Sequence, residues 1–295
     1  MHVTVNHELI FEYTGVALAQ FNADMMIANP DTFPYLLVNS LLMTAISSEG
    51  FRDDTAEDQL YILHWMRVWR GIGIMIERAT VQCLIKSGLS KLFYRPPLNL
   101  DRGRLYIPST LWNLVYNYQD GDLAIHNYDI YIKTLPYLGS LYEHLRNDLG
   151  PMMRLRIITW FTFLPSDFIE LASQKDPRSL VIICHYAVFL KLTTRVWWMK
   201  NVGQKTISDI LKFLGHSFSE FVDVPRAALA TDDVQEISRL LTDNPQWMEG
   251  QGASPGAVTF SEQRDGFVDD HGRLIIPELP THSMDQETGF PSPAV

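Results

Sequence analysis

The stretch DPRSLVIICHYAVFLKLTTRVWWMKNV, residues 176–202, decides the fold. Asp176 followed by Pro177 is a helix start: the carboxylate accepts an orphan N–H of the first turn, and proline costs nothing at the first helical position. From Leu180 to Leu190 the run is apolar on nearly every side, so other helices must wrap it. The pattern predicts a long buried helix that ends in the pair Trp197 and Trp198. Lys191 and Arg195 interrupt the run short of the roughly 20 apolar residues a membrane-spanning helix needs, so a membrane is not among the expected partners.

On both sides of this segment helical periodicity recurs while strand alternation is scarce. The expected fold is all-α: a single irregular helical bundle or array over residues 1–248 around a buried central helix, with a flexible tail over 249–295. Phe33–Ser47 reads as an apolar helix that begins near Pro34. In Gln59–Arg78, His64, Arg67, Arg70, Glu77 and Arg78 form a narrow polar stripe, and Leu60, Leu63, Trp65, Met66, Trp69, Ile72 and Met75 fill the rest. Gly71 and Gly73 each cost about 1 kcal/mol against alanine there, which points to close helix approach or a kink.

Arg95–Asp129 reads as a proline-rich connection with a short helix over Ser109–Asn117 and a polar turn at Gln119–Asp122. Leu138, Leu141, Tyr142, Leu145 and Leu149 recur at helical spacing until Gly150 and Pro151. Met152–Leu164 is the next expected helix, ended by Pro165. Ile207, Ile210, Leu211 and Leu214 form an amphipathic face closed by Gly215, and Asp232 with Gln235 resembles a capping box that opens a last helix through Leu241. Beyond Glu249 few large apolar residues remain to offset ordering entropy, apart from a fragment at Leu274–Pro277 that could dock. No internal repeat and no heptad run is present.

Length, 46% hydrophobic residues and 12% aromatic residues suffice for a sizeable core. A net charge of −10 and the lack of a basic block argue against direct nucleic-acid binding, which draws its affinity from clustered Lys and Arg. The two cysteines, Cys83 and Cys184, lie in apolar contexts and suit reduced thiols inside a cell better than a disulfide framework, though a single bridge between them stays open. The opening MHVTVNHELIFEYTG has no basic start, apolar stretch or cleavage site of a signal peptide.

Together with WMRVWRGIG at 65–73, LGSLYEHLRNDLGP at 138–151, ITWFTFLP at 158–165 and VDVPR at 222–226, the opening stretch resembles the carboxy-terminal regulatory domain of fungal binuclear zinc-cluster transcription factors. The sterol-uptake-control-like members are the nearest by pattern, and the likeness covers about residues 7–245. It implies a helical regulatory domain of a fungal biosynthetic or lipid pathway, acting in the nucleus, or in the cytoplasm if no partner carries it in. The family's zinc cluster needs six closely spaced thiolates, which two cysteines do not supply. DNA would then be reached through a partner such as a zinc-cluster transcription factor. The helices that usually precede NADMMIANPDTFPYLLVNSLLMTAIS are not evident, which implies a shortened relative or lost upstream exons.

Catalytic signatures are weak. Gly252-Ala-Ser254-Pro-Gly256 matches the string of a nucleophile elbow but sits in the tail without a strand before it. Gly71-Ile-Gly73 is half of a dinucleotide fingerprint, for which helix packing is the better account. His216 with Glu220, and His144 with Asp148, have the spacing of two metal ligands on one helical face, yet no third ligand is evident, and exposed polar faces explain both pairs. No metal, no cofactor and no catalytic residue is therefore expected.

The seven tryptophans suggest a concave aromatic site for a hydrophobic small-molecule effector. Candidate pocket residues are Trp160, His185, Tyr186, Trp197, Trp198 and Arg67. His185 reads first as a satisfied core histidine and second as a polar anchor in a cavity. Arg67 and Arg70 could clamp a carboxylate, though pairing with Glu77 or nearby acids is preferred. The expected function is non-enzymatic regulation through ligand or partner binding. The alternative is a small-molecule-binding enzyme of cyclase or isomerase type from fungal secondary metabolism, built on the same fold and relying on pocket shape more than on a triad.

Overall fold

The computed structural model describes residues 32–52, 60–78, 98–116 and 126–250, the isolated residues 16, 19, 20 and 23, and two short strands at 259–261 and 266–268. In chain order the helices are α1 (Phe33–Ser47), α2 (Tyr61–Arg78), α3 (Leu100–Arg104), α4 (Ser109–Tyr116), α5 (Tyr128–Asn147) and α6 (Pro151–Ile158). They continue with α7 (Ser166–Ser173), α8 (Pro177–Leu190), α9 (Val202–Leu214), α10 (Asp223–Ala228) and α11 (Val234–Thr242). The fold is all-α, and one apolar core runs from Phe33 to Trp247. No described helix is long and apolar enough to cross a membrane.

Helix α8 is the central element, as the apolar run requires. Every residue from Arg178 to Leu190 is buried, and α5, α7, α9 and α10 pack around it. Burial of each large aliphatic or aromatic side chain contributes roughly 1.5–3 kcal/mol. The start of α8 is built as Asp176-Pro177 announces: Asp176 Oδ2 accepts the Ser179 N–H at 2.8 Å and the Tyr131 hydroxyl at 2.9 Å. The far end departs from expectation. The α-helix stops at Leu190, a 3-10 turn covers Lys191–Thr193, and the tryptophans fall in a separate 3-10 turn, Trp197–Met199. β-branched Thr193, Thr194 and Val196 occupy the break, and Thr193 Oγ1 donates back to Leu190 O at 2.6 Å, a local bond that competes with helix continuation.

Helix α2 buries Leu63, Trp65, Met66, Trp69 and Ile72, exposes His64 and Arg67 and half-buries Arg70, while the side chains of Met75, Glu77 and Arg78 lie outside the described residues. Gly73 marks a close approach: a Cβ there would stand 2.5 Å from Thr162 O in the 3-10 turn Trp160–Phe163. Gly71 meets nothing within 4 Å, and packing does not explain it. Arg67 Nε and Arg70 Nη2 donate to Ser173 Oγ and Ser166 Oγ of α7 at 3.2 and 2.9 Å, and the side chain of Glu77, their expected partner, lies outside the described residues.

Helix α5 begins at Tyr128, ten residues before the first periodic leucine, and passes through Pro136. Helix α3 crosses it there. A Cβ on Gly139 would collide with Gly103 O, and one on Gly103 would come within 2.6 Å of Pro136 O, so two glycines let the backbones touch. The expected helix over Met152–Leu164 is split into α6 and the turn Trp160–Phe163. Helix α11 is capped by Asp233, whose Oδ1 accepts the N–H groups of Gln235 and Glu236 at 2.7 and 3.0 Å, one residue later than expected.

Within the stretch expected to be a flexible tail, Thr259–Ser261 pairs antiparallel with Gly266–Val268, in register Phe260 to Phe267. The elbow string at 252–256, the fragment at 274–277, the polar turn at 119–122 and Cys83 lie outside the described residues. Cys184 is a free, buried thiol whose pKa burial pushes up.

Candidate functional site

Consecutive residues of α8 carry the polar chemistry of the core. His185 Nε2 lies 2.8 Å from Phe221 O and Nδ1 lies 3.1 Å from the Tyr142 hydroxyl. A carbonyl only accepts, so Nε2 carries the proton, and Nδ1 of the neutral ring accepts from the tyrosine. Burial lowers the imidazole to about 4, partly opposed by the bond to Phe221 O. His185 is thus a satisfied core histidine that ties α8 to α5 and to the loop before α10.

Tyr186 reaches other neighbours. Its hydroxyl donates to Ile157 O at 2.7 Å, and burial drives its pKa well up. Its ring stacks on Trp160 with centroids 4.3 Å apart, and Phe161 meets it edge-on at 4.9 Å. Phe161 in turn meets Trp65 at 6.1 Å, and Trp65 meets Trp69 at 5.6 Å. A continuous aromatic layer therefore links α2, the turn Trp160–Phe163 and α8.

Three buried polar atoms in this layer have no hydrogen-bond partner among the described residues: Trp69 Nε1, Trp160 Nε1 and Thr162 Oγ1. A buried donor left unmade costs about 1–3 kcal/mol. Two of the three can only donate, so what would satisfy them is an acceptor oxygen. By contrast, Trp65 Nε1 donates to Thr44 O at 3.2 Å and Trp247 Nε1 to Leu145 O at 2.8 Å.

Of the six residues expected to line a pocket, the structure brings Trp160 and Tyr186 into contact, with His185 beside them in sequence but bonded elsewhere. Trp197 is 72% exposed and Trp198 is half-buried, because the helix ends before them. Arg67 is exposed and held by Ser173. Trp69 and Thr162 escaped the sequence reading: each sits at an ordinary core position, and only the packing reveals an unmatched polar atom.

Other polar motifs serve the fold. Lys191, read as an interruption of the apolar run, is buried, and its Nζ donates to Gln204 Oε1, to Ala228 O and Thr231 O at 2.8 Å each, and faces Asp232 Oδ1 at 3.1 Å. It fastens the end of α10 to the end of α8. His144 is not on an exposed face as expected. Its Nδ1 donates to Ser140 O at 2.5 Å, while burial and the nearby Arg156 hold it down at about 4. Asp148 Oδ1 accepts the Gly250 N–H at 3.2 Å. His216 and Glu220 are exposed, as expected. Among the described residues no group of three or more His, Cys, Asp or Glu could hold a metal ion.

Comparison of the chain with protein-family models, curated proteins and solved structures finds no match in any of the three.

Proposed function

We propose that the chain is a helical regulatory domain, transcription-regulator-like and without a DNA-binding module of its own, which holds a hydrophobic small molecule bearing acceptor oxygens against the aromatic layer. The observation that carries this reading is the set of buried polar atoms without partners at Trp69, Trp160 and Thr162. Sites for small molecules are mostly aromatic and apolar with a few placed polar groups, which is the composition of this layer. The sequence resemblance supports the regulatory half of the reading. The ligand acts by population shift: it favours whichever helix arrangement binds it more tightly, and a zinc-cluster partner reads the arrangement.

The chemistry expected of a cyclase or isomerase finds less support. Both ring nitrogens of His185 and the hydroxyl of Tyr186 are engaged by protein atoms.

Titration of the full chain with ergosterol, oleate and flavone, followed by tryptophan fluorescence, tests the proposal. At least one probe is expected to quench or shift the emission and, at a hundredfold excess over its Kd, to add about 2.7 kcal/mol of stability. Trp160→Phe keeps an aromatic ring and loses the N–H, and weakens that binding about tenfold, the ~1.4 kcal/mol of one hydrogen bond. Binding unchanged in Trp160→Phe, or no response to any of the three probes, counts against it.

A further inference from the structure

Gly73 of α2 is where a cation meets the aromatic layer. A Cβ there would stand 2.5 Å from Thr162 O and 3.2 Å from Arg70 Nη1, so the Arg70 guanidinium and the backbone of Thr162 share one point of the contact between α2 and the turn Trp160–Phe163. Arg70 and Gly73 are three residues apart, the spacing that puts them on one side of a helix. Thr162 is 5% exposed, and its Oγ1 is one of the buried polar atoms without a partner among the described residues. Trp69, which carries another, directly precedes Arg70 in the chain. A positive charge therefore stands at the edge of an apolar layer that still has hydrogen bonds to give.

We infer, resting on the ligand reading above, that the small molecule is an amphipathic carboxylic acid, its apolar body against the aromatic layer and its carboxylate between the Arg70 guanidinium and Thr162 Oγ1. The planar fork of a guanidinium matches the two oxygens of a carboxylate, and hydrogen bonds to an ionised acceptor are roughly twice as strong as neutral ones. The threonine hydroxyl supplies a further donor. A neutral oxygen would satisfy Thr162 and draw nothing from the charge beside it.

The charges around this point favour an anion. Arg70 is half-buried, and Nη2 donates at 2.9 Å to Ser166 Oγ, a neutral acceptor. From Tyr61 to Ile76, α2 carries Arg67 and Arg70 and no acidic residue; its first acid, Glu77, comes two turns after Arg70. The acids of α7, Asp167 and Glu170, are exposed and make no ion pair among the described residues. A cationic ligand would meet two like charges on α2, whereas a carboxylate answers a cation already drawn partly out of water.

Tryptophan fluorescence titration of the full chain with laurate, dodecanol and dodecylamine, which share a chain length and differ in charge, tests it. Transfer into an apolar site alone favours the alcohol, because a carboxylate costs more to desolvate. Laurate is nonetheless expected to bind about tenfold more tightly than dodecanol, the effect of charge-assisted hydrogen bonding, and dodecylamine more weakly than either. Arg70→Gln should bring laurate down to the level of dodecanol. Ser166→Asp, an exposed substitution that leaves Arg70 in place, sets a competing carboxylate within reach of Nη2 and should do the same, which gives the reading if Arg70→Gln fails to fold. Dodecanol binding wild type as tightly as laurate overturns the acid and leaves the aromatic ligand site standing. So does laurate keeping its advantage in folded Arg70→Gln or Ser166→Asp. Emission that none of the three probes moves overturns both.

Discussion

His185 illustrates how one buried residue links structure to pH. Its folded pKa of about 4 lies below the ordinary value of 6.5, so the unfolded chain takes up the proton first. The stability it contributes is complete above 6.5, falls as pH drops from 6.5 towards 4, and levels off below that. The slope is about 1.4 kcal/mol per pH unit for one such group. Urea unfolding at about pH 7 and about pH 5 should show roughly 2 kcal/mol less pH dependence in His185→Gln than in wild type. Equal dependence would mean that the ring is solvated in the folded chain.

Asp243 holds a left-handed backbone, φ 49°, at the C-terminal end of α11, and its carboxylate sits at the negative end of the helix dipole. An asparagine in its place would relieve both, so Asp243→Asn is expected to stabilise by about 1 kcal/mol, or ~2–4 °C in Tm. Thr162→Val removes a buried hydroxyl without a partner and keeps the shape. It should stabilise the ligand-free chain by about 1 kcal/mol in urea unfolding.

At the scale of elements, legibility followed the strength of local signals. Asp176-Pro177 spelled out the start of α8, and α1 ends at Ser47 as its apolar pattern implied. Asp176→Ala should cost about 1–2 kcal/mol by chemical denaturation, because it strands the Ser179 N–H and the Tyr131 hydroxyl, while Asp176→Asn should cost less. The start of α5 was not legible, since Pro136 reads as a helix breaker, and α3, five residues long, is too short to show a period. Their contact through Gly103 and Gly139 belongs to tertiary structure, which overrides local preference. Asp232 and Asp233 are chemically alike, so the sequence could not say that the first pairs with Lys191 and the second caps α11. Lys191→Met should loosen that junction and cost about 2–3 kcal/mol, the range for hydrogen bonds to a charged group.

For the whole molecule, the buried central helix and the helical body around it followed from the run Leu180–Leu190, since a helix without a polar face leaves few architectures open. The candidate site was half legible. Trp160 and Tyr186 stood out as aromatic residues with a polar atom, and they do stack. Trp197 stood out equally and is exposed, because residue type alone does not say on which side of a helix end a side chain falls. Trp69 and Thr162 gave no signal, because a missing hydrogen bond is a property of the fold. The central claim is that these unmatched atoms mark where a small molecule sits. Native mass spectrometry of the full chain purified from eukaryotic cells tests it most directly. The account predicts a wild-type species heavier than the 33.8 kDa polypeptide by one apolar, oxygen-bearing compound, which is lost in the Trp160→Phe/Thr162→Val double variant. Wild-type protein at the bare polypeptide mass, or an adduct that persists in the double variant, would contradict it.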